Sequence, residues 1–444
     1  MLSHLKKTYD TIPKKYINFL RHIPDRVLFG KSYLPWKTKV SFDKNIIDKN
    51  LCDTLNYNRK NTQFGKDNIP TMVTVANARE VLESLPLVSS YDLSTNLDYY
   101  ISKEFKGKNS YLTTTGGTGR SPTSILLSNE SFGIEWAHMH SIWGLADYKK
   151  SRDLKLTLRG KSLKGDKLVE FNPVYNELVV DTFKVKDSNF EQFLEEIKKY
   201  DIKYIHGYPS LLKEFTVYFE KYNYKPKIKG IFLGSEGATI EDKRLISEFF
   251  DCKVVHWYGQ SEKVALAVDI EENDMFRVFT SYGYPRVVDG ELVATSFVNR
   301  ALPLINYKTG DGAEIVEDDK YIYIKNLKGR WGKDFIYLDE NKKIPTASIN
   351  LHSKIQDEIV FYQIHQKEFA KIEIKTLQKS TSNMDPNKLL EVFSAEMRTN
   401  LKDFLIDVRL VNEDEIVKSH RGKMILLVQE LKLKRLSKNK KHMR

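Results

Sequence analysis

Between residues 154 and 257 short apolar runs alternate with longer amphipathic ones, and this rhythm limits the fold more than any other feature of the chain. The runs at 154–158, 204–205, 228–233 and 254–257 are rich in Val, Ile, Leu, Phe, Tyr and Trp and too short for helices. The segments between them, 189–200, 210–222 and 240–250, carry apolar residues at helical spacing. Strands joined through helices form crossover units, so the expected architecture is α/β with a largely parallel sheet. Ligands of such sheets collect beyond the carboxyl ends of the strands. Two segments fall there: Gly234-Ser235-Glu236 and Tyr258-Gly259-Gln260-Ser261-Glu262.

The flanking regions differ in texture. Segments 2–26, 42–64 and 77–87 mix apolar and charged residues as surface-laid helices do, and 130–146 reads as a helix bearing Trp136, Met139, His140 and Trp143 at spacings of three and four. His138 and His140 stand two apart on that helix and point away from each other, which speaks against a metal site. Residues 276–323 change to short strands with turn signals, notably Val288-Asp289-Gly290-Glu291, and predict a β-rich subdomain. The last hundred or so residues suffice for a small α+β domain, with strands at 359–365, 370–376 and 408–410 and a helix at 386–401. The expected division is a large domain over 1–328, a hinge at 329–333, a small domain over 334–430 and a basic tail over 431–444.

A chain of 444 residues exceeds one ordinary core, and its 41% hydrophobic content can build two or three. The formal charge of +12 favours anionic partners. Cys52 and Cys252 are too few and too far apart for a disulfide framework or a cysteine-based zinc site. The start lacks the unbroken apolar core of a signal peptide, and no run of eighteen apolar residues occurs, so the expectation is a soluble, cytoplasmic protein. The basic tail reads as a solvated end, with contact to an anionic membrane surface or acidic polymer as its other use.

Ahead of the alternating region lies Leu-Thr-Thr-Thr-Gly-Gly-Thr-Gly-Arg-Ser-Pro at 112–122, flanked by strand-like composition on both sides. Gly116, Gly117 and Gly119 let backbone N–H groups converge on one point, Thr113, Thr114, Thr115 and Thr118 add hydroxyls, and Arg120 adds charge. Such a loop suits phosphate oxygens. It is not a Walker A loop, because Thr114 stands at the first glycine position and Arg120 at the lysine.

Taken in order, 113–122, Gly234–Glu236, Tyr258–Glu262, Tyr307–Asp311 with Gly329-Arg330, and Arg421-Gly422-Lys423 resemble the core motifs of the adenylate-forming enzymes, the superfamily of acyl-CoA synthetases and related ligases. Within it, Gly207-Tyr208-Pro209-Ser210, the run 258–267 and Pro303-Leu304-Ile305-Asn306-Tyr307-Lys308-Thr309-Gly310-Asp311 resemble the phenylacetate–CoA ligase-like branch and its CapK-like capsular polysaccharide group.

That resemblance implies a ligase that converts a carboxylate and ATP into acyl-AMP and pyrophosphate, then passes the acyl group to an amine or to coenzyme A. It implies that residues 113–118, Gly119 and Arg120 hold the β- and γ-phosphates, and that Glu262 binds Mg²⁺. Tyr258 is expected to stack on adenine, with Gly234, Ser235, Glu236, Gly259, Gln260 and Ser261 beside it. Asp311 accepts from the ribose hydroxyls, Arg330 contacts ribose or phosphate, and Lys423 bridges the attacking carboxylate and the α-phosphate. Trp136, Trp143, His206 and Tyr208 are the candidate acyl-pocket residues. Two departures stand out: Arg120 in place of the usual lysine, and a hinge spaced one residue more widely, so that the pivot is Lys333 or Asp334. A CoA ligase unrelated to polysaccharide is the main alternative. Nucleic-acid binding fits poorly, since the basic residues are spread along the chain without a base-stacking motif. A glycosyltransferase would need an Asp-x-Asp after a strand, whereas Glu317-Asp318-Asp319 sits in a predicted turn.

Overall fold

The structure is a computed structural model that describes residues 22–114, 124–328, 335–340, 342–346, 349, 355, 358–378, 382–417 and 426–431. The chain divides into two units, Met1–Thr113 with Ile125–Gly329 and Arg330–Arg444 with Thr114–Ser124. The large unit opens with helices α1 (Asp25–Phe29), α2 (Tyr33–Lys37), α3 (Ile47–Asn61), α4 (Gln63–Asn68), α5 (Ala78–Ser84), α6 (Ser90–Thr95) and α7 (Leu97–Tyr100). In α3 the stripe Ile47, Leu51 and Leu55 is buried at intervals of four, and the amide of Asn58 one turn on donates to Pro303 O at 2.6 Å. Strands β1 (Ser110–Thr114) and β2 (Ser124–Ser128) pair on either side of the Thr/Gly-rich loop, as the flanking composition predicts, and lead into α8 (Asn129–Gly144).

The alternating region folds as expected. Strands β3 (Leu154–Lys161), β4 (Val169–Asn172) and β5 (Glu177–Asp181) precede α9 (Phe190–Ile197), β6 (Ile202–Gly207), α10 (Pro209–Lys221), β7 (Gly230–Leu233), α11 (Ile240–Phe250) and β8 (Lys253–Gly259). β5, β3, β6, β7 and β8 lie side by side and parallel. α9 buries Phe190, Phe193, Leu194 and Ile197 on the face that packs into this core. α11 begins at a capping box of Thr239 and Asp242 and ends at Asp251, which takes the left-handed conformation at φ 51°. β4 and β5, which the composition did not flag, form the edge of the sheet.

The β-rich stretch is present, yet it continues the same sheet instead of standing apart as a subdomain. Strands β9 (Leu266–Asp269), β10 (Phe276–Val278), β11 (Gly283–Val288), β12 (Glu291–Ser296), β13 (Tyr307–Glu317) and β14 (Ile322–Lys328) extend it in the order β11-β12-β13-β14-β10-β9-β8, all antiparallel. Asp289 and Gly290, both at positive φ, make the two-residue turn between β11 and β12 that the sequence predicts. A twelve-stranded twisted sheet curls. The curl is visible where the β8–β9 connection touches strands far along the order: Ser296 Oγ donates to Lys263 O at 2.7 Å, and a Cβ on Gly283 would stand 2.0 Å from Val264 O.

The small unit contains a hairpin, β15 (Phe335–Tyr337) with β16 (Lys343–Pro345), and a sheet of β17 (Ile359–Glu368), β18 (Lys371–Gln378), β19 (Leu405–Leu410) and β20 (Leu427–Gln429) in the order β19-β18-β17-β20. Helix α12 (Pro386–Asn400) buries Leu389, Phe393 and Met397 with Tyr362, Ile364, Ile372 and Ile374 of the sheet. This is the small α+β unit expected at the C-terminal end, with β15, β16 and β20 added. The expected helix before residue 22, the hinge at 329–333, and the tail beyond 431 lie outside the described residues. Among the described residues no helix is long and apolar enough to cross a membrane.

Candidate active site

Side chains alternate faces along β8, so Trp257 and Tyr258 serve different cores. Tyr258 joins the core of the N-terminal helices and antiparallel strands, while Trp257 packs with the aromatic cluster around α8. The two faces define two halves of a site.

On the first face, the segment after β8 is tied to β13 at both ends. The Tyr258 hydroxyl donates to Asp311 Oδ2 at 2.7 Å, and the Tyr307 hydroxyl donates to Glu262 Oε1 at 2.8 Å. Burial and the Asp311 carboxylate raise the Tyr258 phenol well above its ordinary range, so it stays a donor. Asp311 follows Thr309 and Gly310; Gly310 has φ 84°, and its N–H donates to Glu291 Oε1 at 2.8 Å. Asn306, at φ 50°, donates its amide to Leu82 O and Leu85 O and accepts from Arg286 at 2.7 Å, anchoring the strand's entry. Gln260 accepts from Ala265 N through Oε1; Ser261 is exposed and Glu262 half-buried.

Behind Glu262, Lys263 takes φ 57° and its ammonium pairs with Glu135 Oε2 at 3.0 Å; Tyr282 donates to the same carboxylate. Burial pushes the Glu135 carboxyl up, but Lys263 and Tyr282 together hold it below its ordinary value. Tyr307 and Glu135 are functional neighbours that sequence reasoning did not assign. Tyr307 opens a motif already singled out, whereas nothing local to helix α8 distinguishes Glu135.

The turn after β7 meets the second face. A Cβ on Gly234 would lie 2.3 Å from the Trp257 indole, so only glycine permits that packing. Ser235 takes φ 68° and accepts from Arg159 Nη2 at 3.2 Å; Arg159 also covers the Tyr208 ring at 5.5 Å. Glu236 is buried, and its carbonyl bonds His256 Nε2 at 2.9 Å. The His206 ring packs at a tilt against Trp257 at 5.3 Å and Trp143 at 5.5 Å, bringing three rings together at the carboxyl ends of β6 and β8. Trp136 meets Trp143 edge-on at 5.7 Å but offers no open face. It is sandwiched between Phe29 at 4.7 Å and Tyr175 at 5.3 Å, so both faces are occupied by core packing.

His138 and His140 diverge as expected: His138 Nε2 meets Ser281 Oγ at 3.0 Å, and His140 Nδ1 meets the Tyr33 hydroxyl at 2.6 Å. Burial lowers His138 and His256 to about 4 each. Because each pKa falls on folding, its contribution is complete above the unfolded value near 6.5 and is lost as pH drops toward 4. Unfolding free energy is therefore expected to fall between pH 6.5 and 4, by up to roughly 3 kcal/mol per histidine. Urea titrations at pH 7 and 4.5 check this, and His256→Gln should flatten the slope.

Thr113 is half-buried in β1, and Thr114 ends that strand. Thr115, Gly116, Gly117, Thr118, Gly119, Arg120, Arg330, Lys333, Asp334 and Lys423 lie outside the described residues. No group of three or more His, Cys, Asp or Glu suited to a metal occurs among the described residues. Glu262 alone fits Mg²⁺, which takes one or two carboxylates and completes its shell with substrate phosphates and water.

No protein-family model matches the chain. Protein CapK of Staphylococcus aureus is 23% identical over 374 residues, covering 77% of this chain and 80% of CapK. A crystal structure of 2-hydroxyisobutyryl-CoA ligase with 2-HIB-AMP and CoA, in the thioesterification state, is 16% identical and covers 88% of this chain and 90% of that one, with a TM-score of 0.51. The same ligase in its postadenylation state, with R3-HIB-AMP, is 14% identical over 87% of this chain and 89% of that one, with a TM-score of 0.49. The chain thus shares the fold of this CoA ligase, and its likeness to CapK agrees with the group read from its motifs.

Proposed function

We propose that this chain is an ATP-dependent, AMP-forming ligase that activates a carboxylate as an acyl-adenylate and then transfers the acyl group. The observation that carries this reading is the double tie of segment 258–262 to β13, through Tyr258 to Asp311 and Tyr307 to Glu262. It sets an oriented carboxylate for ribose hydroxyls, Asp311 on β13, against the segment at the end of β8 that carries a hard oxygen ligand, Glu262. Asp311 accepts from the ribose hydroxyls, its position held by the Tyr258 phenol, and the Tyr258 ring lies along the adenine. Glu262, oriented by Tyr307 and backed by the Lys263–Glu135 pair, holds Mg²⁺. Bound there, the ion would neutralise phosphate charge as pyrophosphate departs. Residues 113–120 cradle that pyrophosphate, Arg330 contacts ribose or phosphate, and Lys423 places a positive charge between carboxylate and α-phosphate where charge develops. Rotation of the small unit about Lys333 or Asp334 then withdraws Lys423 for transfer.

The resemblance of its motifs to the capsular-polysaccharide group, with which the likeness to CapK agrees, favours a place in surface-polysaccharide assembly, and the acceptor proposed there is an amine on an amino sugar or amino acid. The fold likeness to a ligase crystallised with CoA supports coenzyme A as the second reading. ATP–pyrophosphate exchange with a panel of carboxylic acids tests the activity; a folded protein that binds ATP but exchanges with none of them sinks it. Lys423→Ala should abolish exchange yet spare transfer from a supplied acyl-adenylate, and equal loss of both half-reactions contradicts the role given to Lys423.

A further inference from the structure

Around Trp143 the large unit buries polar atoms that nothing among the described residues answers. Trp143, Tyr148 and His206 are 2%, 5% and 5% exposed, and the rings of Tyr148 and His206 each stand 5.5 Å from that of Trp143. Among the described residues, Trp143 Nε1, the Tyr148 hydroxyl and His206 Nδ1 have no hydrogen-bond partner. Buried polar groups are nearly always paired, so three together in contacting side chains mark a place that a ligand completes. The cluster is continuous with the strand-end turn, because the His206 ring packs at a tilt against Trp257 and Trp257 fills the space that Gly234 leaves open.

The chemistry of the three atoms narrows the ligand. An indole N–H only donates, a phenol does both, and a neutral imidazole nitrogen does one or the other. A hydrocarbon chain or bare aryl ring answers none of them. A second carboxylate would need a cation given over to it; Lys155, 5.1 Å from the Trp143 ring, is already paired with Glu177 at 3.4 Å and donates to Tyr175 O, and Arg159, the other cation that His206 feels, donates to Ser235 and lies over the Tyr208 ring. Hydroxyl groups, which accept and donate without charge, match all three.

We infer that the carboxylic acid taken by this site carries a polyhydroxylated acyl group, of the sugar-acid class, whose hydroxyls pair with Trp143, Tyr148 and His206. The inference rests on the adenylation reading above. A site built to hydrogen-bond a substrate hydroxyl rejects the analogue lacking it strongly, by on the order of 100-fold or more.

The test is ATP–pyrophosphate exchange with galacturonate and glucuronate against cyclohexanecarboxylate, a ring of similar size without hydroxyls. Expected are a kcat/KM ratio of on the order of 100-fold in favour of a uronate and a drop in that ratio of roughly tenfold in Tyr148→Phe and in His206→Phe. In the ligand-free protein Tyr148→Phe should melt at the same or a higher temperature, since it removes a hydroxyl that lacks a partner, and this separates a ligand-binding role from a structural one. Exchange that is equal or better with cyclohexanecarboxylate, or a ratio untouched by both substitutions, overturns the inference and leaves adenylation standing. No exchange with any acid while ATP still binds overturns the adenylation reading, and the inference with it.

Discussion

Asp311→Ala is expected to lower nucleotide affinity by roughly 100-fold, about 3 kcal/mol, because it removes an ionised acceptor from two ribose hydroxyls. The same change strands the buried Tyr258 hydroxyl, which now donates to Asp311 at 2.7 Å, at a folding cost of about 1–3 kcal/mol. The two effects are separable. Adding Tyr258→Phe removes the orphaned hydroxyl and keeps the ring, so the double variant should recover stability without recovering nucleotide binding. Calorimetric titration with ATP and urea unfolding of both variants check this. If affinity returns together with stability, Asp311 supports the fold and does not hold the ribose.

The largest stability effect is expected at Asp269. Lys243 of α11 is wholly buried, its ammonium 2.5 Å from Asp269 Oδ2 and in contact with Asp274. A buried pair adds little over a well-packed apolar substitute, but breaking it leaves one charge uncompensated at about 3–5 kcal/mol. Asp269→Ala leaves Lys243 to the partly exposed Asp274 and takes the acceptor from the N–H groups of Glu271, Asn273 and Asp274, so it should cost the large unit about 3–5 kcal/mol, a severe loss against the 5–15 kcal/mol typical of a native domain. Lys243→Met should cost less, because the Asp269 carboxylate still accepts backbone N–H groups from Glu271, Asn273 and Asp274. Equal costs in the two variants would show that those N–H bonds do not hold the carboxylate's charge.

How much of the site could be read in advance follows from how local each signal is. Tyr258, Glu262 and Asp311 stand in compact motifs that resemble those of a known family, so the sequence singles them out as candidates, and the structure brings Tyr258 onto Asp311 and Tyr307 onto Glu262. Glu135 was not, because its role comes from meeting Lys263 and Tyr282, which lie far from it in the chain. Trp136 was misread as a pocket residue because helical spacing places it with Trp143, and only the packing of Phe29 and Tyr175 on its two faces shows that it is filled. The short strands β4, β5, β15, β16 and β20 were missed for a similar reason: three to five residues offer too little alternation to identify, and their pairing depends on distant partners.

By itself the sequence determined the alternation of β3, β6, β7 and β8 with helices α9, α10 and α11, the hairpin at Asp289-Gly290 and the strands flanking the Thr/Gly-rich loop. Periodicity and turn chemistry act over a few residues and need no distant partner. Only the tertiary structure decided that Tyr258 meets Asp311. β8 and β13 are separated in the sheet by β9, β10 and β14, and it takes the curl of twelve continuous strands, with Gly283 admitting the 263–265 connection, to bring a tyrosine and a carboxylate within one hydrogen bond.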